Sequence, residues 1–162
     1  MTTRVGEDLK FKVTVGGQDK TYDLGKAVEI DENNLSPEFS QQPSLQAWWG
    51  TLAENAQHAL RQEEADFEVF EATLANKIRE TAAEMNPPVK MSEAKIVEMV
   101  KSDLAYTSRL ARINNAKHQA ELLKVAIRAI ESKASMLISL GAQKRSEMEM
   151  TNIKINEKYG AR

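Results

Sequence analysis

Leu9, Phe11, Val13 and Val15 alternate with polar residues, the two-residue period of a half-buried strand. Gly16-Gly17 followed by Gln18-Asp19 is turn chemistry, and Thr21, Tyr22 and Leu24 can form a returning strand, so a small β-hairpin is expected. Two strands are marginal alone, and this pair must pack on helices or pair with another chain. Residues 25–43 hold Gly25, Asn33, Asn34, Pro37 and Pro43 among scattered apolar positions, which reads as a connector with one short turn of helix. Pro43 and Ser44 then announce a helix, because proline suits a first turn and serine caps free amides.

From Leu45 onward the period changes. Apolar residues fall at 45, 49, 52, 56, 60, 67, 70, 74 and 78, the steps of three and four that keep one stripe on one helical face. The run ends by Asn86-Pro87-Pro88, where prolines remove amide donors, giving a helix of about 40 residues. Ser92 caps a second segment with Ile96, Met99 and Val100 on one side, and Ser102-Asp103 can interrupt it and cap the next. A third segment carries Tyr106, Leu110, Ile113, Ala120, Leu123, Ile127, Ile130, Ala134, Leu137 and Leu140 at helical spacing, with a gap at Lys117. Gly141 is a candidate kink or cap, after which Met148, Met150, Ile153 and Ile155 form a weaker, partly alternating pattern. Neither long stripe can be buried alone. The expected fold is therefore mainly α: a long antiparallel helical hairpin with a small N-terminal β-hairpin, in an oligomeric assembly. Residues 1–43 form the hairpin and connector, and 44–162 the helical region for binding and oligomerisation.

With 162 residues and 41% hydrophobic content, the chain can bury one modest core. It has no cysteine, which removes disulfides and thiolate chemistry and fits a reducing compartment. No stretch is long and apolar enough to span a bilayer or to act as a signal peptide, so a cytoplasmic protein is expected. The net charge of -2 hides an asymmetry. Residues 27–86 carry 3 basic and 12 acidic side chains, whereas 104–162 carry 11 basic and 5 acidic. Either the acidic and basic helices neutralise each other as neighbours, or the basic half is a surface for a polyanion.

Catalysis finds little to work with. His58 and His118 are the only histidines, lie on separate helices, and lack metal-ligand spacing. Glu63-Glu64-Ala65-Asp66 with Glu68 and Glu71 carries carboxylates, but such a run around an apolar stripe is ordinarily solvated surface. Gly16-Gly17 lacks the Lys-Ser/Thr of a phosphate loop. No catalytic residue, metal or cofactor is expected. Trp48, Trp49, Phe67 and Phe70 could stack on bases, yet all but Trp48 fall on the apolar stripe and read as core. Lys77 and Arg79 are the one basic pair near the end of an acidic helix, where cations also complement the helix dipole. Arg109, Arg112, Lys124, Arg128, Lys133, Lys144 and Arg145 can form a basic track, and phosphate binding needs little more than such charges along a surface.

The order of these features resembles a known family. An aromatic-led helix reaches Lys77-Ile78-Arg79, a polar break follows, then Met91-Ser92-Glu93-Ala94-Lys95, then a long helix with Ala126-Ile127-Arg128-Ala129-Ile130-Glu131-Ser132-Lys133 and Met136-Leu137-Ile138. Over residues 45–150 this looks like the UvsY-type recombination mediators of tailed phages. The resemblance implies a ring-forming homo-oligomer that binds single-stranded DNA and helps load a RecA-like recombinase onto strands covered by single-strand-binding protein, without catalysis. It implies that Lys77 and Arg79 are the DNA-contacting Lys-x-Arg motif, and that Ile127, Ile130, Leu137 and Leu140 build the oligomer. The hairpin at 9–24 and the acidic lead-in to Lys77 depart from the family pattern. The alternative expectation is a structural or scaffolding helical phage assembly protein that binds partner helices and no nucleic acid.

Overall fold

The computed structural model describes residues 9–15 and 18–159. The elements in order are β1 (Lys10–Val15), β2 (Gln18–Asp23), α1 (Leu24–Val28), α2 (Leu35–Glu84), α3 (Glu93–Ser102) and α4 (Leu104–Tyr159). The chain is mainly helical, with one small antiparallel two-stranded sheet. Its residues cluster into two compact units, Met1–Leu52 with Leu123–Arg162, and Ala53–Leu122.

In the first unit β1 and β2 pair from Lys10 opposite Asp23 to Val15 opposite Gln18. Gln18 and Asp19, expected in the turn, are thus already strand residues, while Gly16 and Gly17 lie outside the described residues. The alternation does its work here: Val13 is buried and Phe11 and Tyr22 are half-buried on one face, whereas Lys10, Lys12 and Thr14 are exposed. Asp23 ends β2 and caps α1, its carboxylate accepting from the Lys26 amide at 3.0 Å.

Helix α2 starts ten residues before Leu45, inside the stretch read as a connector. Pro37 is therefore the first-turn proline, where its missing N–H has no helical acceptor to lose, and Pro43 sits in the helix interior. On this first stretch of α2 Gln42 is buried and Leu35 half-buried, while Phe39 stays exposed. Contacts of α2 with α4 in this unit run antiparallel. The Gln42 side-chain amide donates to the Ile130 carbonyl at 2.9 Å, and Glu38 pairs with Lys133 at 2.9 Å. Val13, Leu24, Trp49, Leu52, Leu123, Ala126, Ile130 and Leu137 make the core. Each large member contributes about 1.5–3 kcal/mol by leaving water. Gly141 does not end α4, which runs on through it to Tyr159. It is buried inside the helix, and a Cβ there would lie 2.8 Å from the Phe39 ring tip, so the glycine permits a close approach. Helix α4 continues through the Met148–Ile153 region, whose side chains are exposed; the Ile155 side chain lies outside those described.

In the second unit α2, α3 and the start of α4 bury Leu60, Ala82, Ile96, Val100 and Ala120. Phe67 and Tyr106 meet with ring centroids 5.1 Å apart. Past the prolines, the Val89 amide donates back to the Ala82 carbonyl at 2.9 Å, which folds the chain against the end of α2. Ser92 caps α3 by accepting from the Lys95 amide, as expected. The break at Ser102-Asp103 is also present: α3 ends at Ser102, and the Asp103 carboxylate accepts from the Ala105 amide at 2.7 Å to start α4.

Candidate nucleic-acid interface

The two units each carry part of the expected basic set. In the second unit, Lys77 and Arg79 are both exposed on α2 but do not converge. Two residues apart on a helix, they stand about 200° apart around its axis. Lys77 lies seven residues from Phe70 and so on the same side of α2, and the Arg109 guanidinium lies over the Phe70 ring, 4.6 Å from its centroid. Lys77 makes no ion pair among the described residues.

Arg79, on the other flank, is fully engaged. Its Nε and Nη2 donate to the two carboxylate oxygens of Glu93 at 3.4 and 2.6 Å, and its Nη1 donates to the Asn76 side-chain oxygen at 2.9 Å. The hydrogen bond from Arg79 holds the Glu93 carboxyl below its usual value, and Glu93 in turn holds the guanidinium more firmly charged. Arg112 is also engaged, donating to Glu63 of α2. Acidic and basic stretches therefore do neutralise each other at specific points.

In the first unit Lys124, Arg128, Lys144 and Arg145 are exposed on α4. Lys124 and Arg128 are one turn apart, on the side away from Leu123, Ala126 and Ile130. Arg128, Lys144 and Arg145 make no ion pair among the described residues. Lys133, read from sequence as part of the basic track, is only 8% exposed: its ammonium donates to Glu38 and to the Ala27 carbonyl at 3.2 Å. It belongs to the interior because its position falls on the same side of α4 as Ile130 and Leu137. The Lys133 ammonium also holds the Glu38 carboxyl below its ordinary value.

The expected oligomer residues divide similarly. Ile130 and Leu137 are enclosed in this chain's own core, and Ile127 and Leu140 are half-buried. Apolar residues of α4 that stay exposed in the same unit include Val125, Met136 and Ile138. Of the aromatic residues, Trp49 is enclosed and Trp48 is half exposed, as the register implied, with Tyr22 and Trp49 placing their rings 5.4 and 5.1 Å from Trp48. Phe67 and Phe70 are half-buried rather than central.

Sequence reasoning missed Glu93. It stands in a helix-start pattern, and only its return to Arg79 across the Pro-Pro break gives it a second role; no spacing rule links residues 79 and 93. Among the described residues no group of three or more His, Cys, Asp or Glu could hold a metal ion, and no helix is long and apolar enough to cross a membrane. In comparisons with family models, with characterised proteins and with solved structures, the chain matches none.

Proposed function

We propose that this chain is a non-enzymatic mediator of DNA recombination and repair that binds single-stranded DNA and helps a RecA-like recombinase replace single-strand-binding protein. The observation that carries the reading is the set of exposed cations left over after internal pairing, Lys77 in one unit and Arg128, Lys144 and Arg145 in the other, in a chain ordered like the UvsY-type mediators. Such charges bind phosphates without regard to sequence, through release of counterions. One unit's few cations give modest affinity, and a homo-oligomer multiplies them by effective concentration. Val125 and Met136, eleven residues apart and so on one side of α4, supply exposed apolar surface for that association in place of the enclosed Ile130 and Leu137.

The pairs Arg112–Glu63 and Lys133–Glu38 favour a second reading, a helical scaffold whose charges serve its own packing. Fluorescence anisotropy with a labelled oligo-dT separates the two. For the mediator, Lys77→Ala and the triple change Arg128→Ala, Lys144→Ala, Arg145→Ala each weaken binding, and each lost phosphate contact lowers the magnitude of the log–log salt slope by about 0.7. Affinity and slope unchanged in both variants would favour the scaffold.

A further inference from the structure

Resting on the DNA-binding reading, we infer that Glu93 is an internal phosphate mimic that occupies the binding face of Arg79 and sets the affinity of this site for single-stranded nucleic acid. The geometry is that of a phosphate contact. A guanidinium presents its donors as a planar fork, and the fork of Arg79 is matched by both oxygens of one carboxylate, at 3.4 and 2.6 Å. With Nη1 given to Asn76, each of the three nitrogens of the head group has an acceptor within this chain. A nucleic-acid phosphate reaches Arg79 in this bidentate manner only by displacing Glu93.

The displacement is feasible. The Arg79 and Glu93 side chains are 44% and 74% exposed, and an ion pair so open to water holds its partners weakly. Glu93 is also not needed to start α3, since the Ser92 hydroxyl oxygen already caps the Lys95 amide. The other acid–base pair on α3, Lys95–Glu98, is made between neighbours three residues apart on one helix and joins no second element. Glu93 differs in bridging fourteen residues, from the first turn of α3 to the end region of α2, so release of Arg79 to a phosphate also frees α3 from one of its ties to α2. Lys77, on the opposite flank and without an ion pair among the described residues, is the open half of the Lys-x-Arg pair, and Arg79 is the half held back. Binding then has two regimes: a weak one through Lys77 and the remaining free cations, and a tighter one once Glu93 has been exchanged.

Binding of a labelled oligo-dT to the full chain, across a salt titration, tests this with Glu93→Gln, Glu98→Gln, Arg79→Ala and the double variant Arg79→Ala/Glu93→Gln. Glu93→Gln is expected to tighten binding roughly fivefold at about 50 mM salt and to steepen the salt slope by about 0.7, one added phosphate. Glu98→Gln, which removes the same charge from the same helix, is expected to change affinity less than about twofold and to leave the slope alone. In the Arg79→Ala background the effect of Glu93→Gln disappears. Equal gains from Glu93→Gln and Glu98→Gln, or a gain that persists without Arg79, overturn the inference while leaving the DNA-binding reading intact. Absence of binding by the unaltered chain and by every variant overturns both.

Discussion

Removing the acid from the Glu38–Lys133 pair should harm the protein more than removing the base. Lys133 is 8% exposed, while the Glu38 side chain keeps 22% of its surface in contact with water. In Glu38→Ala the ammonium stays enclosed with the Ala27 carbonyl as its one remaining acceptor. Stripping one partner from a buried pair costs about 3–5 kcal/mol, and the partial access of water at Glu38 places this case near the lower end, about 3 kcal/mol. In Lys133→Met the aliphatic stem still fills its place, and Glu38 can turn to water while accepting from the Asp31 amide, so the cost is about 1 kcal/mol. At about 2–4 °C per kcal/mol for a chain of this size, thermal melts followed by circular dichroism should fall by roughly 6–12 °C for Glu38→Ala and roughly 2–4 °C for Lys133→Met. The double variant should melt near Lys133→Met, because once the ammonium is gone no enclosed charge is stranded. A Lys133→Met protein less stable than Glu38→Ala would refute the reasoning, as would a double variant whose loss equals the sum of the two.

The same pair sets a pH dependence. The folded Glu38 carboxyl lies below its ordinary 4.5, so its stabilisation is fully present above that value and is lost as pH falls through the folded pKa; an acid titration of Lys133→Met should show a shallower loss below pH 4.5. Gly50 lies inside α2 with nothing within 4 Å of an added Cβ, so Gly50→Ala should stabilise by about 0.5–1 kcal/mol, whereas Gly141→Leu, beside Phe39, should destabilise by about 1–3 kcal/mol in denaturant melts. Trp49→Ala should cost about 3–5 kcal/mol, while Trp48→Ala, at a position 49% exposed, should cost less than half as much. Tryptophan emission should follow: Trp48→Phe should leave a spectrum that iodide quenches poorly, Trp49 being enclosed.

The parts of the fold legible in the sequence are those where one face meets one environment. The alternation over Leu9–Val15, the stripe from Leu45 to Ile78 and the cap at Ser92 each pointed to the element that forms, because period and capping are local properties. The start of α2 was not legible, since Pro43 looks like a first-turn residue and only packing against α4, through Gln42 and Glu38, carries the helix back through it to Leu35. Gly141 misled for a related reason: a glycine inside a helix resembles a cap until the Phe39 ring that crosses it is known. Among the candidate site residues, sequence could identify cations but not their partners. Lys133 and Lys144 are alike as letters, and one is enclosed against Glu38 while the other is exposed. Ile130 and Leu137, expected to build an oligomer, are instead enclosed in this chain's own core, which helical spacing alone does not distinguish from an interface.

Binding to single-stranded DNA by an assembly of chains is the property on which the proposed role most depends. Light scattering after size exclusion, with the full chain alone and with a short oligo-dT, at about 50 mM and about 500 mM salt, reports both properties together. A multiple of 18.1 kDa is expected without DNA at both salts, with a further gain in mass from the oligonucleotide at low salt that vanishes at high salt. A particle whose mass is indifferent to the oligonucleotide at low salt would contradict the proposed role.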